Sequence, residues 1–286
     1  MLRKLMGLTL FGLLIWGFLG IQNADAKQDR NISGVLEQVS REEILSQKKI
    51  PVFTYRIQKT YPHNITSYTE GLLMDNGYLF EGTGRYGKSD LFKSNLETGQ
   101  VFKQRALDPL YFGEGVTIFK DLIFQLTYKS NIGFIYDKES FSLKGTFRYL
   151  TQGWGLTTDG NELIMSNGSA ALVFLDPETF NQKRYIVVSD NKGQVGFLNE
   201  LEFVNGEVYA NVWQTNLIAR INPKTGKVTG WIDLTGINPD PEKLKYPDVL
   251  NGIAYNPKTK RLIVTGKCWP NLFEIELVPI ENKRVQ

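Results

Sequence analysis

The stretch Phe112-Gly113-Glu114-Gly115-Val116 decides the fold, because it is one of five similar segments in the chain. Each segment places polar or aromatic residues beside a glycine or another narrow turn and then runs into an apolar strand. We call these segments the repeat motifs; the other four are Tyr68-Thr69-Glu70-Gly71-Leu72, Gly153-Trp154-Gly155-Leu156, Leu198-Asn199-Glu200-Leu201 and Leu250-Asn251-Gly252-Ile253. Their aligned positions 71, 115, 155, 200 and 252 are 40 to 52 residues apart. Self-similarity at this spacing is typical of a propeller or another repeat array.

Strand patterns follow each repeat motif in the same order. Second strands are predicted at 77–82, 121–126, 162–166, 207–212 and 261–265, and third strands at 90–92, 132–137, 171–176, 217–221 and 271–275. Fourth strands fit 101–107, 143–149, 184–189 and 228–234, but the last repeat runs out near residue 277. Residues 53–61 alternate apolar and polar side chains and supply the missing strand. The pattern predicts an all-β, five-bladed β-propeller over residues 51–280, closed by an N-terminal strand.

The propeller prediction brings the repeat motifs together. The first strand of each blade lines the central channel, so motifs at the start of these strands face one another at one mouth. We therefore expect Glu114 to be the catalytic residue and the other motifs to form the walls around it. An open β-sandwich with coincidental spacing is the alternative. All five repeats match at three strand positions, which argues against it.

The N-terminus has the layout of a secretory signal peptide. Arg3 and Lys4 precede an apolar run, and the small-residue site at 24–26 predicts cleavage after Ala26. An uncleaved membrane anchor is the alternative, and either reading predicts an exported, periplasmic or secreted protein. Residues 27–50 are polar and predict a mobile lead-in outside the domain, with a short helix around 41–47. Net charge is +3 without a basic run, which gives no indication of nucleic-acid binding.

The sequence gives little support for a dinucleotide-binding, disulfide-bonded or zinc-dependent protein. The glycines of 82–87 have dinucleotide-loop spacing, but a strand follows them where that loop requires a helix. His63 and Cys268 are the only histidine and the only cysteine, so neither a disulfide framework nor a zinc site of the usual ligands can be assembled. No cofactor is expected for catalysis, although carboxylates in the channel leave room for a structural calcium ion.

The sequence resembles the plant and bacterial type of the glutaminyl-peptide cyclotransferase (glutaminyl cyclase) family. The resemblance runs from about residue 55 to 277 and is carried by the stretches 111–115, 131–137, 153–160, 198–202, 211–221, 249–254 and 265–270. It implies a five-bladed propeller that needs no zinc. It also implies conversion of the N-terminal glutamine of peptides and proteins to pyroglutamate with release of ammonia. We expect the protein to be a monomer that makes no stable membrane contact after signal cleavage.

The resemblance also assigns roles to residues. It implies that Glu114 is the general acid and base, and that Asn199 and Lys267 hold the substrate amide and stabilise an oxyanion. The aromatic substrate pocket is matched at Phe112, Trp154 and Trp213. Two places depart from the family pattern, which usually reads Phe-Thr-Gln-Gly-Leu at the first motif and tryptophan at position 128. Here these places hold Tyr68 with Glu70, and Tyr128, and both are expected to touch the pocket.

The Glu70 departure suggests a coupled pair of carboxylates. The first two blades are neighbours, so we expect Glu70 to lie within reach of Glu114 and to share a proton with it. The alternative is that Glu70 pairs with Lys267 or a channel ion and only replaces a glutamine's hydrogen bonds. Two other functions stay open from the residues alone, namely a peptide-binding propeller without turnover and a calcium-dependent propeller of the lactonase type.

Overall fold

The computed structural model describes residues 38–46, 49–238 and 249–280, and the fold below is that of the unit Val39–Gln286. The predicted signal peptide and the lead-in up to residue 37 lie outside the described residues. In the part of the chain that is described, no helix is long and apolar enough to span a membrane.

The described residues form one short helix and twenty strands. The elements are α1 (Arg41–Ser46), β1 (Val52–Pro62), β2 (Thr69–Asp75), β3 (Tyr78–Thr83), β4 (Asp90–Ser94), β5 (Val101–Ala106), β6 (Gly113–Phe119), β7 (Leu122–Thr127), β8 (Ile132–Asp137), β9 (Leu143–Arg148), β10 (Leu156–Thr158), β11 (Leu163–Ser166), β12 (Ala171–Leu175), β13 (Gln182–Val187), β14 (Leu198–Val204), β15 (Glu207–Val212), β16 (Leu217–Ile221), β17 (Val228–Asp233), β18 (Leu250–Asn256), β19 (Arg261–Gly266) and β20 (Asn271–Pro279). A strand is present at each position that the repeats predict.

The strands form three four-stranded antiparallel sheets and one eight-stranded sheet. The small sheets are β2 to β5, β6 to β9 and β10 to β13, each in sequence order. The large sheet has the order β14-β15-β16-β17-β1-β20-β19-β18. Strand pairing between its halves is a short parallel stretch, in which Val52 and Phe53 lie opposite Trp231 and Ile232. Each half therefore repeats the four-stranded arrangement of the small sheets.

The N-terminal strand completes the last half-sheet. Strand β1 pairs antiparallel with β20 from Phe53 opposite Pro279 to Pro62 opposite Asn271, with one irregularity near Ile57. The prediction that residues 53–61 supply the missing fourth strand is confirmed. Without β1, the backbone groups of β20 that face it would be an unpaired edge.

The first strand of each four-stranded unit packs against the first strand of the next. β2 contacts β6, β6 contacts β10, β10 contacts β14, β14 contacts β18, and β18 contacts β2. Glycines make this approach close enough: an added Cβ would lie 2.4 Å from Val116 N at Gly71 and 2.4 Å from Leu156 N at Gly115. At Gly155 it would lie 2.1 Å from the carbonyl oxygen of Asn199. The repeated glycines are therefore explained by backbone contact between neighbouring sheets.

The hydrophobic core lies between neighbouring sheets. One cluster joins the faces of β2–β5 and β6–β9 and includes Phe80, Val116 and Tyr136. A second joins the β6–β9 and β10–β13 sheets, and a third joins the β2–β5 sheet to β18, β19 and β20. Burial of each large apolar side chain stabilises the fold by roughly 1.5–3 kcal/mol, so the contacts between sheets supply much of the stability.

The last part of the lead-in, which was predicted to be mobile, is packed against the fold. Ser40 caps α1, because its Oγ accepts the Glu43 amide at 3.2 Å and the Glu43 carboxylate accepts the Ser40 amide at 2.8 Å. The Ile44 side chain is fully buried, and Arg41 donates to Asp233 of β17 over 2.6 Å. Residues 40–46 thus pack as part of the unit, because the predicted helix carries the apolar side chains of Ile44 and Leu45 and the first of them is buried.

Candidate functional site

Four of the five repeat motifs contain a β-bulge. The pairing register skips Glu70 between β2 and β3, and it shifts between Gly113 and Val116, between Leu198 and Leu201, and between Leu250 and Ile253. A bulge leaves a residue unpaired and turns its side chain away from the normal alternation of the strand. It therefore re-aims the side chains just before the aligned position, which are Glu70, Glu114, Asn199 and Asn251.

The residues that follow the second strands lie at the same edge as the repeat motifs. The Tyr128 amide donates to the Phe112 carbonyl at 3.0 Å. In the same way the Trp213 amide donates to Phe197 at 2.9 Å, and the Lys267 amide donates to Val249 at 2.9 Å. Because second strands run antiparallel to first strands, their ends meet the motif of the same sheet.

Five of the predicted substrate-binding residues form a continuous row of aromatic rings. Centroid separations are 6.2 Å from Tyr68 to Phe112, 5.8 Å from Phe112 to Tyr128 and 6.5 Å from Tyr128 to Trp154. The row ends with Trp154 and Trp213, whose rings are 5.5 Å apart in an edge-to-face arrangement. The rings belong to residues next to the ends of strands in the three small sheets and to the residue after β15. The aromatic row therefore exists only once these sheets have assembled.

A charged cluster lies beside this aromatic row. Lys267 Nζ donates to Glu70 Oε1 at 2.7 Å, and Asn251 Nδ2 donates to Glu70 Oε2 at 3.1 Å. The Glu70 side chain is also hydrogen-bonded to that of Glu114. Glu70, Glu114 and Lys267 are all at least 95% buried. Both contacts expected for Glu70, with Glu114 and with Lys267, are therefore present.

The cluster shifts the protonation of its members. Burial raises the pKa of Glu70, although the charges of Lys267 and Arg85 and its hydrogen bonds act in the opposite direction. Burial alone would lower the pKa of Lys267, but the charges of Glu70, Tyr68 and Glu114 raise it above its usual value. Lys267 therefore stays an ammonium ion, and the proton that the cluster can exchange lies on the carboxyl groups.

Tyr68 lies between two cations. Lys267 Nζ is 4.6 Å from the centre of its ring and the Arg85 guanidinium is 4.3 Å away, both within the range of cation–π attraction. Burial raises the pKa of the Tyr68 hydroxyl to about 12, against the opposing charge of Lys267. The hydroxyl therefore keeps its proton at neutral pH and can donate a hydrogen bond.

Asn199 is placed at the site with an unused acceptor. Its residue is 2% exposed, and its Oδ1 atom has no hydrogen-bond partner in the described part of the chain. Its backbone is fixed, because Ser166 Oγ donates to the Asn199 carbonyl at 2.7 Å and accepts the Gly155 amide at 2.7 Å. A buried acceptor without a partner costs about 1–3 kcal/mol, which a ligand that donates to it would recover.

Two residues at the repeat motifs were missed by the sequence interpretation. Asn251 holds Glu70 and also donates to the Thr69 carbonyl at 2.9 Å. Its signal was present, since it occupies the repeat position of Glu70, Glu114 and Asn199. Glu200 stands where the other motifs have glycine; its carboxylate accepts the amides of Leu72 at 3.0 Å and Ile253 at 2.8 Å.

Glu200 links three of the first strands, because it lies on β14 and its partners lie on β2 and β18. Burial and the neighbouring Glu202 raise the pKa of Glu200 well above its usual value. Among the described residues, no group of three or more histidine, cysteine, aspartate or glutamate side chains could hold a metal ion.

A buried cluster of carboxyl groups and an ammonium ion beside aromatic rings is the kind of site at which enzymes transfer protons. The model of the family described as glutamine cyclotransferase matches residues 31–277. The glutaminyl-peptide cyclotransferase of Arabidopsis thaliana is 44% identical over 221 residues, which are 76% of this chain and 69% of that protein. The crystal structure of Myxococcus xanthus glutaminyl cyclase is 32% identical, with a TM-score of 0.76 over 81% of this chain and 100% of that chain. The chain belongs to the glutamine cyclotransferase family, as the resemblance indicated.

Proposed function

We propose that this protein converts the N-terminal glutamine of peptides and proteins to pyroglutamate and releases ammonia. The observation that carries the proposal is the buried carboxyl pair of Glu70 and Glu114, which is hydrogen-bonded together and held by Lys267 at 2.7 Å. Cyclisation needs one group that accepts a proton from the amine and then delivers a proton to the leaving ammonia. A carboxyl pair that holds a single proton suits this exchange.

The substrate is bound with its glutamine side chain against the aromatic row. The rings of Phe112, Trp154 and Trp213 exclude water from the reacting amide and contribute apolar contact to its methylene groups. The unpartnered Asn199 Oδ1 accepts a hydrogen bond from the substrate's amide or amine nitrogen. The α-amino group and the side-chain amide belong to one residue, so fixing the side-chain rotamers brings the nucleophile to the carbonyl carbon.

The reaction starts when the neutral α-amino nitrogen attacks the side-chain amide carbon. A carbon–nitrogen bond forms, the carbonyl electron pair moves to oxygen, and Glu114 accepts the proton released by the amine. Glu114 then delivers this proton to the amide nitrogen, the oxygen electron pair re-forms the carbonyl, and the carbon–nitrogen bond to ammonia breaks. Atoms and charges balance without a co-reactant, and Glu114 is returned to its starting state.

Lys267 stabilises the negative oxygen of the intermediate. An ammonium group has three donors, so Lys267 can serve Glu70 and the substrate oxygen at once. Because the group is buried and already positioned by Glu70, little reorganisation accompanies the development of charge. Loss of one such donor typically lowers kcat by about 10²–10³.

Glu70 shares a proton with Glu114. Its two oxygens accept from Lys267 and Asn251, and these contacts oppose the effect of burial on the pKa of Glu70. Negative charge on Glu70 disfavours ionisation of Glu114, so an ionised Glu114 readily accepts the amine proton and keeps it until it is delivered to the leaving nitrogen.

The finer architecture and the cellular context are part of the proposal. The five four-stranded units and the closed sequence of contacts from β2 through β18 support a five-bladed propeller, with the repeat motifs at one mouth of its channel. Residues 1–26 act as a signal peptide for export to the periplasm or the medium. The enzyme works as a monomer without a catalytic cofactor, and a calcium ion in the channel would be structural.

The test follows ammonia release and loss of one ammonia mass from a Gln-initiated peptide. Wild-type enzyme is expected to turn over this peptide but not its N-acetylated form, in which the nucleophile is blocked. Binding of both peptides without ammonia release would indicate a peptide-binding propeller. Hydrolysis of lactones that requires calcium, with no action on the peptide, would indicate the lactonase type; either result refutes the proposal.

A further inference from the structure

The chain's single histidine forms a buried ion pair beside the candidate site. His63 Nε2 lies 3.0 Å from Glu81 Oε1, and the two side chains are 3% and 8% exposed. His63 Nδ1 lies 2.7 Å from the carbonyl oxygen of Trp269. The pair therefore joins the residue after β1 to β3 and to the turn between β19 and β20.

The carboxylate of Glu81 extends this contact to the segment that begins β2. Thr69 Oγ1 donates to Glu81 Oε1 at 2.8 Å, and Ser67 Oγ donates to Glu81 Oε2 at 3.2 Å. These two residues flank Tyr68, and Glu70 follows directly. Glu81 thus holds the segment that carries the candidate site residues Tyr68 and Glu70.

The same cluster reaches the turn that carries Lys267. The Cys268 amide donates to the Ser67 carbonyl at 2.7 Å, and the His63 amide donates to the Pro270 carbonyl at 3.0 Å. Lys267 precedes Cys268, and its Nζ is 2.7 Å from Glu70. The ion pair and these backbone bonds therefore tie together the two segments whose side chains form the Lys267–Glu70 contact.

Both ring nitrogens of His63 face atoms that can only accept. A backbone carbonyl and a carboxylate have no proton to donate, so this geometry favours the imidazolium ion, in which both ring nitrogens carry a hydrogen. Thr265 Oγ1, 3.4 Å from Nδ1, already donates to the Asn271 carbonyl at 2.8 Å. Glu81 is the charged group that faces the ring; Ser67, Thr69 and Thr265 are neutral.

We propose that the His63–Glu81 pair is a positioning unit for the reaction, fixing the segment of Tyr68 and Glu70 against the turn of Lys267. The proposal rests on the cyclase function proposed above. Neither residue touches the substrate, and the effect passes through Thr69, Ser67 and the Trp269 carbonyl. A misplacement of about 1 Å at a reacting group can cost on the order of 10²-fold in rate, so small movements of these segments matter.

The charge of the pair gives the effect a definite pH range. Burial lowers the pKa of His63, but the charge and hydrogen bond of Glu81 and the Trp269 carbonyl outweigh it and raise the pKa above 6.5. The contribution of a group with a raised pKa is complete below its ordinary pKa and is lost as pH rises through the folded value. The positioning should therefore fail on the alkaline side.

The first measurement is a ¹⁵N NMR titration of the untagged protein, in which His63 gives the only histidine signal. We expect His63 to titrate with a pKa above 6.5. A pKa at or below 6.5 would overturn the proposal, whatever the enzyme's activity.

The second measurement compares Glu81→Gln and His63→Gln with a matched control, Glu274→Gln. Glu274 lies on β20, is 3% exposed and accepts from Thr259 at 2.6 Å. Thr259 precedes β19, whereas Lys267 follows its other end. We expect all three to lower Tm, and only the first two to lower kcat, by roughly 10-fold, and to move the alkaline limb of the pH profile. Folded variants with wild-type kcat and an unmoved limb would overturn the proposal.

A gentler variant covers the case in which the first two fail to fold. Ser67→Ala removes one hydrogen bond to Glu81 and leaves the ion pair, so a smaller loss of kcat with nearly unchanged KM is expected, and an unchanged kcat would overturn the proposal. Absence of turnover by the wild-type enzyme would instead refute the proposed function. The two failures are therefore distinguishable.

Discussion

Replacing Glu70 by glutamine should lower the pH at which the enzyme loses activity in acid. The substitution keeps the shape of the side chain and removes its negative charge. Glu114 then loses the charge of the neighbouring Glu70, and the Lys267 ammonium, which lies 2.7 Å from Glu70 in the wild-type protein, acts on Glu114 without compensation by that charge. Both changes favour the ionised form of Glu114, so its pKa should fall.

The size of the shift can be put in order of magnitude from the Coulomb energy of neighbouring charges. Two unit charges about 4 Å apart interact by about 4 kcal/mol at an effective dielectric constant near 20. Lys267 neutralises much of the Glu70 charge, so Glu114 experiences only part of the repulsion from Glu70. About a third of that repulsion is ~1.4 kcal/mol, which corresponds to roughly one pKa unit. We therefore expect the acidic limb of the kcat/KM profile to move downward by about one unit, and by at least about half a unit.

The assay measures ammonia release from a Gln-initiated peptide between pH 4 and pH 9, for wild type, Glu70→Gln and the control Glu274→Gln. Glu274 is equally buried but lies away from the site, so its variant should keep the wild-type profile. An acidic limb that does not move, with only KM altered, would reject the coupling of the two carboxyl groups. Glu70 would then be a substrate contact alone.

Three further predictions concern the catalytic group, the N-terminus and metal dependence. Glu114→Gln should fold with wild-type Tm but lose turnover by about 10²–10⁴-fold in the ammonia assay; retention of more than about a tenth of kcat would contradict its role. Deleting residues 1–37 should leave Tm unchanged. Deleting 1–48 removes buried Ile44 and the Arg41–Asp233 contact and should lower Tm by several degrees, since burial of one such side chain is worth about 1.5–3 kcal/mol. Equal melting curves would show that α1 does not stabilise the fold. Turnover should survive a zinc-selective chelator, because both ring nitrogens of His63 already have partners; activity lost on chelation and restored by zinc would reverse this expectation.

The strand order and the location of the site could be predicted from the sequence. Alternating strands and glycines at a regular spacing are local signals, and each strand slot they predicted is present. Repetition then places equivalent residues at equivalent points of successive sheets. For this reason Tyr68, Phe112 and Trp154, which are far apart in the chain, could be expected to lie at one mouth. The resemblance to the family added Tyr128 to this set.

The lead-in and the ionisation of His63 could not be predicted in the same way. A short, mostly polar segment is predicted to be mobile unless its few apolar side chains find a hydrophobic site, and only the folded unit provides one for Ile44. The charge on His63 depends on two acceptors, Glu81 and the Trp269 carbonyl, the second of which is 206 residues away. No local pattern encodes such a pairing.

The sequence by itself therefore determined the strands, their grouping into fours and the closing role of residues 53–61, since these follow from periodicity and spacing. Only the tertiary structure decided which side chains point into the site. The bulges that re-aim Glu70 and Asn251 depend on how each first strand pairs with its neighbour, and Glu200 reaches amides on β2 and β18 that lie far from it in the chain. Side-chain direction at a bulge and contact across the assembly are set by non-local backbone packing, which a one-dimensional pattern does not contain.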